Sequence, residues 1–289
     1  MLNKTLTPQP TNDGSYTFFS EEFEELFHSH SGAKQEAQYK FVEPCQLQEK
    51  AAIKNTIKIL DICYGLGYNT AAALETIWEI NPEIKIEFLA LERDINVPLQ
   101  AVNADLLNNF SFPVSDKLKT LANLHKIEQK TLKAQLLLGD ARQTIKTVIQ
   151  TNFQADAIFL DPFSPPKCPQ LWTVEFIQLI SQCLAKDGYL ATYSCAASVR
   201  NTLQLVGLKI GSTKSIGRRS PGTVANWNGN NLLPLSQQEI EHLQTRAAIS
   251  YRDPTLTDTA ENIQKRRQKE QNISSLEPSS HWKKRWFNN

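Results

Sequence analysis

The stretch "IKILDICYGLGYN", residues 57–69, decides the fold. Its first half is strand-like, with Ile57, Ile59, Leu60 and Ile62 in a short apolar run. Gly65 and Gly67 then break the run, and "NTAAALETIWEI" (69–80) continues in a helical pattern. The alternation repeats outward. "IKIEFLALE" (84–92) precedes a mixed helical stretch to about residue 130, and "AQLLLG" (134–139) leads into helical "DARQTIKTVIQ". "ADAIFL" (155–160) is followed by a proline loop and the helix "TVEFIQLISQCLA", then strand "GYLATYS" and helix "AASVRNTLQLV". Strands that alternate with helices imply parallel strands and crossover helices, an α/β doubly wound and mostly parallel sheet. After Gly207, "LKIGSTKSIGRRSPGTVANW" reads as two strands joined by a turn, an antiparallel edge.

Upstream, "SYTFFSEEFEELFHSH" reads as an aromatic hairpin or as a strand with a short acidic helix. Ala33, Ala37 and Phe41 place "GAKQEAQYKFVE" on an amphipathic helix. The expected division is an N-terminal addition over 1–55, a catalytic α/β domain over 56–230, and a basic extension of weak fold signal over 231–289.

The 31 Lys and Arg against 30 Asp and Glu leave a net charge of +1, so only local patches bear on a polyanionic partner. The five cysteines are odd in number and form no C-x-x-C pair, which argues against a disulfide framework or a zinc site. His28 and His30 lack partners at zinc-ligand spacing, and no metal is expected. No run approaches the roughly 18 apolar residues of a membrane span, nor does the N-terminus carry the apolar core of a signal peptide. A cytoplasmic protein is expected.

In open α/β sheets ligands bind beyond the carboxyl ends of the strands, and there the informative residues stand. Asp61, Gly65, Gly67 and Asn69 follow the first strand; Thr70 at the third fingerprint position disfavours NAD or FAD and fits the acidic-plus-G-x-G loop of S-adenosylmethionine enzymes. Glu92 after the second strand is placed to accept from ribose hydroxyls. Asp140 after the third is placed to bind an adenine amino group, to cap the next helix, or both. Asp161 after the fourth opens "DPFSPPKCPQLW", whose four prolines forbid regular helix or sheet pairing. That loop is similar in logic to the "[DN]-P-P-[FYW]" loops of amine methyltransferases. Asp161 is thus the candidate catalytic and cofactor-side acid, with Phe163 walling the pocket or stacking on the target. Arg218, Arg219, Lys265, Arg266, Arg267, Lys283, Lys284 and Arg285, interleaved with Trp282 and Trp286, are the candidate nucleic-acid contacts; a tryptophan-anchored tail is the alternative.

Together "EAQYKFVE", "GLGYN", "LALERD", "GDAR", "FLDPFSPPKCPQLWT", "GYLATYSCAASVR" and "GRRSPGTVA" resemble the methyltransferase part of the MnmC family, which acts on the wobble uridine of bacterial tRNA. The resemblance runs from Asp13 to Ala225. It implies a Rossmann-like methyltransferase fold, S-adenosyl-L-methionine as cofactor, tRNA as partner, and methyl transfer to the aminomethyl nitrogen of 5-aminomethyl-(2-thio)uridine. Many such proteins also carry an FAD-dependent domain. This sequence lacks its fingerprint, so a stand-alone methyltransferase without FAD is expected, dependent on upstream enzymes that install the aminomethyl group. An aminopropyl transferase of the spermidine-synthase kind and a non-catalytic tRNA-binding module are the competing readings.

Overall fold

The protein is described by a computed structural model covering residues 6–215 and 220–287; Arg218 and Arg219 lie outside the described residues. The N-terminal segment forms two minimal hairpins, β1 (Gln9–Pro10) with β2 (Tyr16–Thr17) and β3 (Phe19–Ser20) with β4 (Glu25–Leu26). The hairpin reading of the aromatic stretch therefore holds. Helix α1 (Ala33–Ala37) passes into a π-helical turn at Gln38–Val42 that keeps Phe41 buried, and α2 (Leu47–Ile53) follows.

The main unit runs β5 (Thr56–Ile62), α3 (Tyr68–Ile80), β6 (Lys85–Glu92), α4 (Asn96–Asn103), α5 (Val114–Leu124), β7 (Lys126–Glu128), β8 (Leu132–Leu138), α6 (Ala141–Gln150) and β9 (Ala155–Leu160). It continues with α7 (Val174–Gln182), β10 (Leu184–Thr192), α8 (Ala197–Leu205), β11 (Lys209–Ser212) and β12 (Thr223–Asn226). Their sheet has the order β11-β12-β10-β9-β5-β6-β8-β7. The five inner strands are parallel. β12 joins β10 antiparallel and pairs with β11, the expected edge. A second antiparallel edge, β7 on β8, corrects the helical reading that extended to residue 130.

Side chains alternate across a strand, and both faces are apolar. Ile57, Ile59, Ala157 and Phe159 enter the core under α1 and α3, whereas Leu60, Ile62, Ile158 and Leu160 enter the core under α6, α7 and α8. Each Ile, Leu or Phe side chain among them, fully buried, contributes about 1.5–3 kcal/mol. The same alternation turns Asp61 toward α3 and brings Asp161, one residue past β9, to that face.

The extension over 231–289 is more ordered than its sequence suggests. It folds as α9 (Gln237–Leu243), α10 (Ala260–Ile273) and α11 (Ser279–Phe287). Ile263 is the buried residue of α10, which explains the weak apolar signal. Trp282 stacks on His242 at 4.0 Å and donates to the Gln238 carbonyl at 3.0 Å. Among the described residues, no helix is long and apolar enough to cross a membrane.

Candidate active site

The chain leaves β5 for β6 on one side and reaches β9 on the other, so the topological switch lies between β5 and β9. A cleft of about 1840 Å³ opens at that end of the sheet, lined by Gly65, Glu92, Asp140, Asp161 and Phe163 among others. It exceeds the roughly 300–1,000 Å³ of a single small-molecule pocket. Two occupants fit.

The glycine loop is dictated by sterics. Gly67 has φ +90°, and a Cβ there would lie 2.6 Å from the Tyr64 hydroxyl. Gly65, at φ +57°, donates its N–H to Glu92 Oε2 at 2.8 Å, which ties the loop to the end of β6. Beneath the loop Asp61 is fully buried; its Oδ2 accepts from Thr70 Oγ1 at 2.7 Å, and its Oδ1 has no hydrogen-bond partner. Asp61, Gly67 and Asn69 thus stand behind the cleft wall formed by the other expected residues.

Burial pushes the Asp61 carboxyl up to about 7 against the Thr70 hydrogen bond, and the nearby Glu92 adds to the rise. A raised folded-state pKa means that the native state binds the proton more tightly. Stability from this group is therefore complete below pH 3.8 and is lost as pH rises through about 7. Asp61→Asn cannot ionise and keeps an oxygen for Thr70. In urea unfolding the wild-type protein is expected to lose about 2–3 kcal/mol more than the variant between about pH 5 and pH 8. Parallel pH profiles for the two proteins would remove this assignment.

Glu92 also accepts from the Asp94 N–H at 2.8 Å, and burial raises its pKa despite these bonds. A carboxylate has about four lone-pair sites, so two accepted bonds leave room for ribose hydroxyls. Asp140 caps α6, accepting from the Arg142 N–H at 2.9 Å, and forms an ion pair with the Arg142 guanidinium at 2.7 Å. Burial acts to raise its pKa, but Arg142 holds it below the usual carboxylate range. Arg142 reaches on to Asp253 at 2.9 Å, a fully buried carboxylate of the C-terminal extension. Sequence reasoning missed that link, which joins residues 111 positions apart.

The loop after Asp161 is held by side chains from across the molecule. Asn69 Nδ2 donates to Asp161 Oδ2 at 2.8 Å. Tyr193 donates to the Pro162 carbonyl at 2.9 Å, and Trp172 Nε1 to the Phe163 carbonyl at 2.9 Å. Glu25 of β4 accepts from the Ser164 N–H at 3.0 Å and from its hydroxyl. The expectation of no helix needs one correction. Pro169–Trp172 is a 3₁₀ turn with Pro169 at its first position, where a missing donor costs nothing. Phe163 stacks on Phe23 at 4.3 Å and meets the edge of Phe27 at 5.0 Å. Cys63 and Cys168 also line the cleft; burial holds both thiols protonated, Cys168 pushed up to about 12. Neither suits a nucleophile's role.

The whole fold is shared with a protein of known structure. The crystal structure of MnmC2 from Aquifex aeolicus superimposes with a TM-score of 0.82 at 36% identity, covering 93% of this chain and 86% of that one. The chain belongs to the MnmC2 methyltransferase family.

The description "S-adenosyl-L-methionine-dependent methyltransferase" also matches residues 104–228. An uncharacterized protein of Methanocaldococcus jannaschii is 31% identical over 88% of this chain and 69% of its own length. The tRNA 5-methylaminomethyl-2-thiouridine biosynthesis bifunctional protein MnmC of Methylibium petroleiphilum is 28% identical over 71% of this chain. The match spans about a third of that bifunctional protein, 32% of its length. Family membership makes the chain an S-adenosylmethionine-dependent enzyme rather than a non-catalytic module.

The residues present fit that cofactor. The glycine loop brings backbone close to the cleft, and Glu92 keeps acceptor capacity. Among the described residues no cluster of His, Cys, Asp and Glu is arranged to hold a metal.

The basic candidates divide. Arg267 lies over the Tyr251 ring at 4.4 Å and donates to the Ile249 and Ala247 carbonyls, so it serves the packing of α10. Arg266 pairs with Asp258 and Lys265 with Glu261, while Arg285 is held by Glu277 and Glu241. Lys283 and Lys284 are exposed. Trp282 is spent on docking α11 and cannot stack on a base, as the anchored-tail alternative required.

Proposed function

We propose that this protein transfers a methyl group from S-adenosylmethionine to the aminomethyl nitrogen on the wobble uridine of tRNA. The observation that supports it is one cleft holding the glycine loop, Glu92 and Asp140 beside Asp161 and the Phe163 ring, in a chain 36% identical to MnmC2. Bound there, the cofactor supplies an electrophilic methyl group on a sulfonium. Gly65 and Gly67 allow the close backbone approach, Glu92 takes the ribose, and Asp140 takes the adenine edge, with Asp61 and Asn69 supporting the wall.

An alkyl amine has a pKa near that of lysine, about 10, and only its neutral form carries a lone pair. The apolar side chains of Phe23, Phe27 and Phe163 favour that form by desolvation; Asp161 opposes it. Asp161 therefore acts by orienting N–H groups and by stabilising the positive charge that grows on nitrogen during attack. Its own Oδ2 is fixed by Asn69, so it needs no reorganisation.

tRNA contact is assigned to Lys283, Lys284 and the outer face of α10, with Arg218 and Arg219 outside the described residues. A tRNA substrate implies a cytoplasmic location. The reading implies, as partners, upstream enzymes that install the aminomethyl group. The test is mass spectrometry of wobble nucleosides from aminomethyl-bearing tRNA incubated with the purified protein and labelled S-adenosylmethionine. One labelled methyl on the side-chain nitrogen is expected; label on a ring atom, or none, would refute the proposal.

A further inference from the structure

We propose that Phe23 and Phe163 are the two jaws of an aromatic clamp that takes the pyrimidine ring of the acceptor, Phe23 riding on the β3–β4 hairpin. This rests on the uridine acceptor proposed above and names the residues that would read it. Both rings line the cleft, 4.3 Å apart and within 17° of parallel, and Phe163 stands two residues from Asp161. Whatever these rings hold is presented to that carboxylate.

The two jaws differ in how they are held. Phe163 is rigid, because Tyr193 and Trp172 engage the carbonyls of Pro162 and Phe163. Phe23 sits at the tip of a hairpin whose strands are two residues each. That tip is tied across the cleft by Glu22 to Arg93 on the cofactor side and by Glu24 to Lys167 on the proline loop. Both ion pairs are exposed, and Arg93 lies over the Phe23 ring at 5.4 Å. Exposed pairs hold weakly and are screened by salt, so the tip that carries Phe23 moves at small cost while Glu25 keeps the base of the hairpin on Ser164.

Parallel rings at stacking distance suit a flat occupant, which exchanges one ring contact for two. Glu21, Glu25 and Asp161 line the cleft, as does Glu22, which pairs with Arg93. A flat ring bearing a cationic amine arm is attracted there, whereas one carrying a carboxylate is repelled. A pyrimidine with an aminomethyl substituent meets both requirements.

The test is steady-state methylation of aminomethyl-bearing tRNA by Phe23→Ala, Phe23→Leu and Phe23→Tyr, with S-adenosylmethionine affinity measured in parallel. Base stacking on an aromatic side chain corresponds to about a 5- to 150-fold change in affinity. Phe23→Ala and Phe23→Leu are expected to raise the KM for tRNA by about tenfold, with cofactor affinity close to wild type. Phe23→Tyr, which keeps the ring face, is expected to restore KM. An unchanged KM in Phe23→Ala, or a Phe23→Leu variant as good as Phe23→Tyr, would overturn the clamp. Absence of turnover by the wild-type protein would overturn the uridine acceptor instead, and the clamp with it.

Discussion

Replacing Asp161 with asparagine is expected to lower kcat by about 10²- to 10³-fold, the loss seen when one preorganised transition-state contact is removed, while S-adenosylmethionine still binds. The size follows from the charge movement. Positive charge leaves sulfur and arrives on nitrogen, so a carboxylate beside the nitrogen stabilises the transition state more than the ground state. Asparagine has the same shape but turns its oxygen to the Asn69 amide, which now donates to Asp161 at 2.8 Å. Its own NH₂ group then faces the amine, where an acceptor is required. The pH profile separates this role from that of a general base. A neighbouring carboxylate raises the pKa of the bound amine; without it the amine is neutral at lower pH, and the acid limb of kcat moves down. A general base would instead take its limb away with it. Turnover within about threefold of wild type would end the assignment.

A chain ended after residue 230 is expected not to fold stably, although that position looked like a domain boundary. The missing segment fills the core under α6, α7 and α8 with Tyr251 and Ile263. It also supplies one carboxylate to each of two inward-facing arginines. Arg200, 2% exposed, pairs with Glu239 at 2.7 Å, and Arg142 pairs with Asp253. Removing one partner of a buried pair costs about 3–5 kcal/mol; Arg142 keeps Asp140, but the loss at Arg200 together with the opened core approaches the roughly 5–15 kcal/mol stability of a whole domain. Glu239→Ala alone is expected to lower the unfolding free energy by about 3 kcal/mol. Glu239→Gln should lose less, because it can still accept from Arg200. Urea denaturation measures both. Cooperative unfolding of the shortened chain at the full-length midpoint would show instead that the unit over 56–230 is independent.

The strand ends were legible because their signals are local. An apolar run, a glycine or an acid, and a helical pattern lie within about a dozen residues of one another, as in "IKILDICYGLGYN". Hence the sequence alone points Gly65, Glu92, Asp140 and Asp161 to one end of the sheet, and all four line the cleft. The short edge strand β7 was not legible, since three residues carry too little period to stand against the helix before them. The extension was misjudged for a related reason: α10 buries one apolar residue and packs largely through Arg267 and its carbonyl partners, a pattern that reads as solvated.

The fold class and the place of the glycines and acids at the strand ends followed from pattern and spacing, which are properties of neighbours along the chain. Other features depend on residues far apart in sequence. Asn69 meets Asp161 across 92 positions, Glu25 meets Ser164 across 139, and Phe23 reaches Phe163 through a hairpin whose direction no periodicity encodes. Those contacts exist because a parallel sheet gathers its carboxyl ends at one edge and because a buried polar loop must find its hydrogen bonds wherever the packing places a partner.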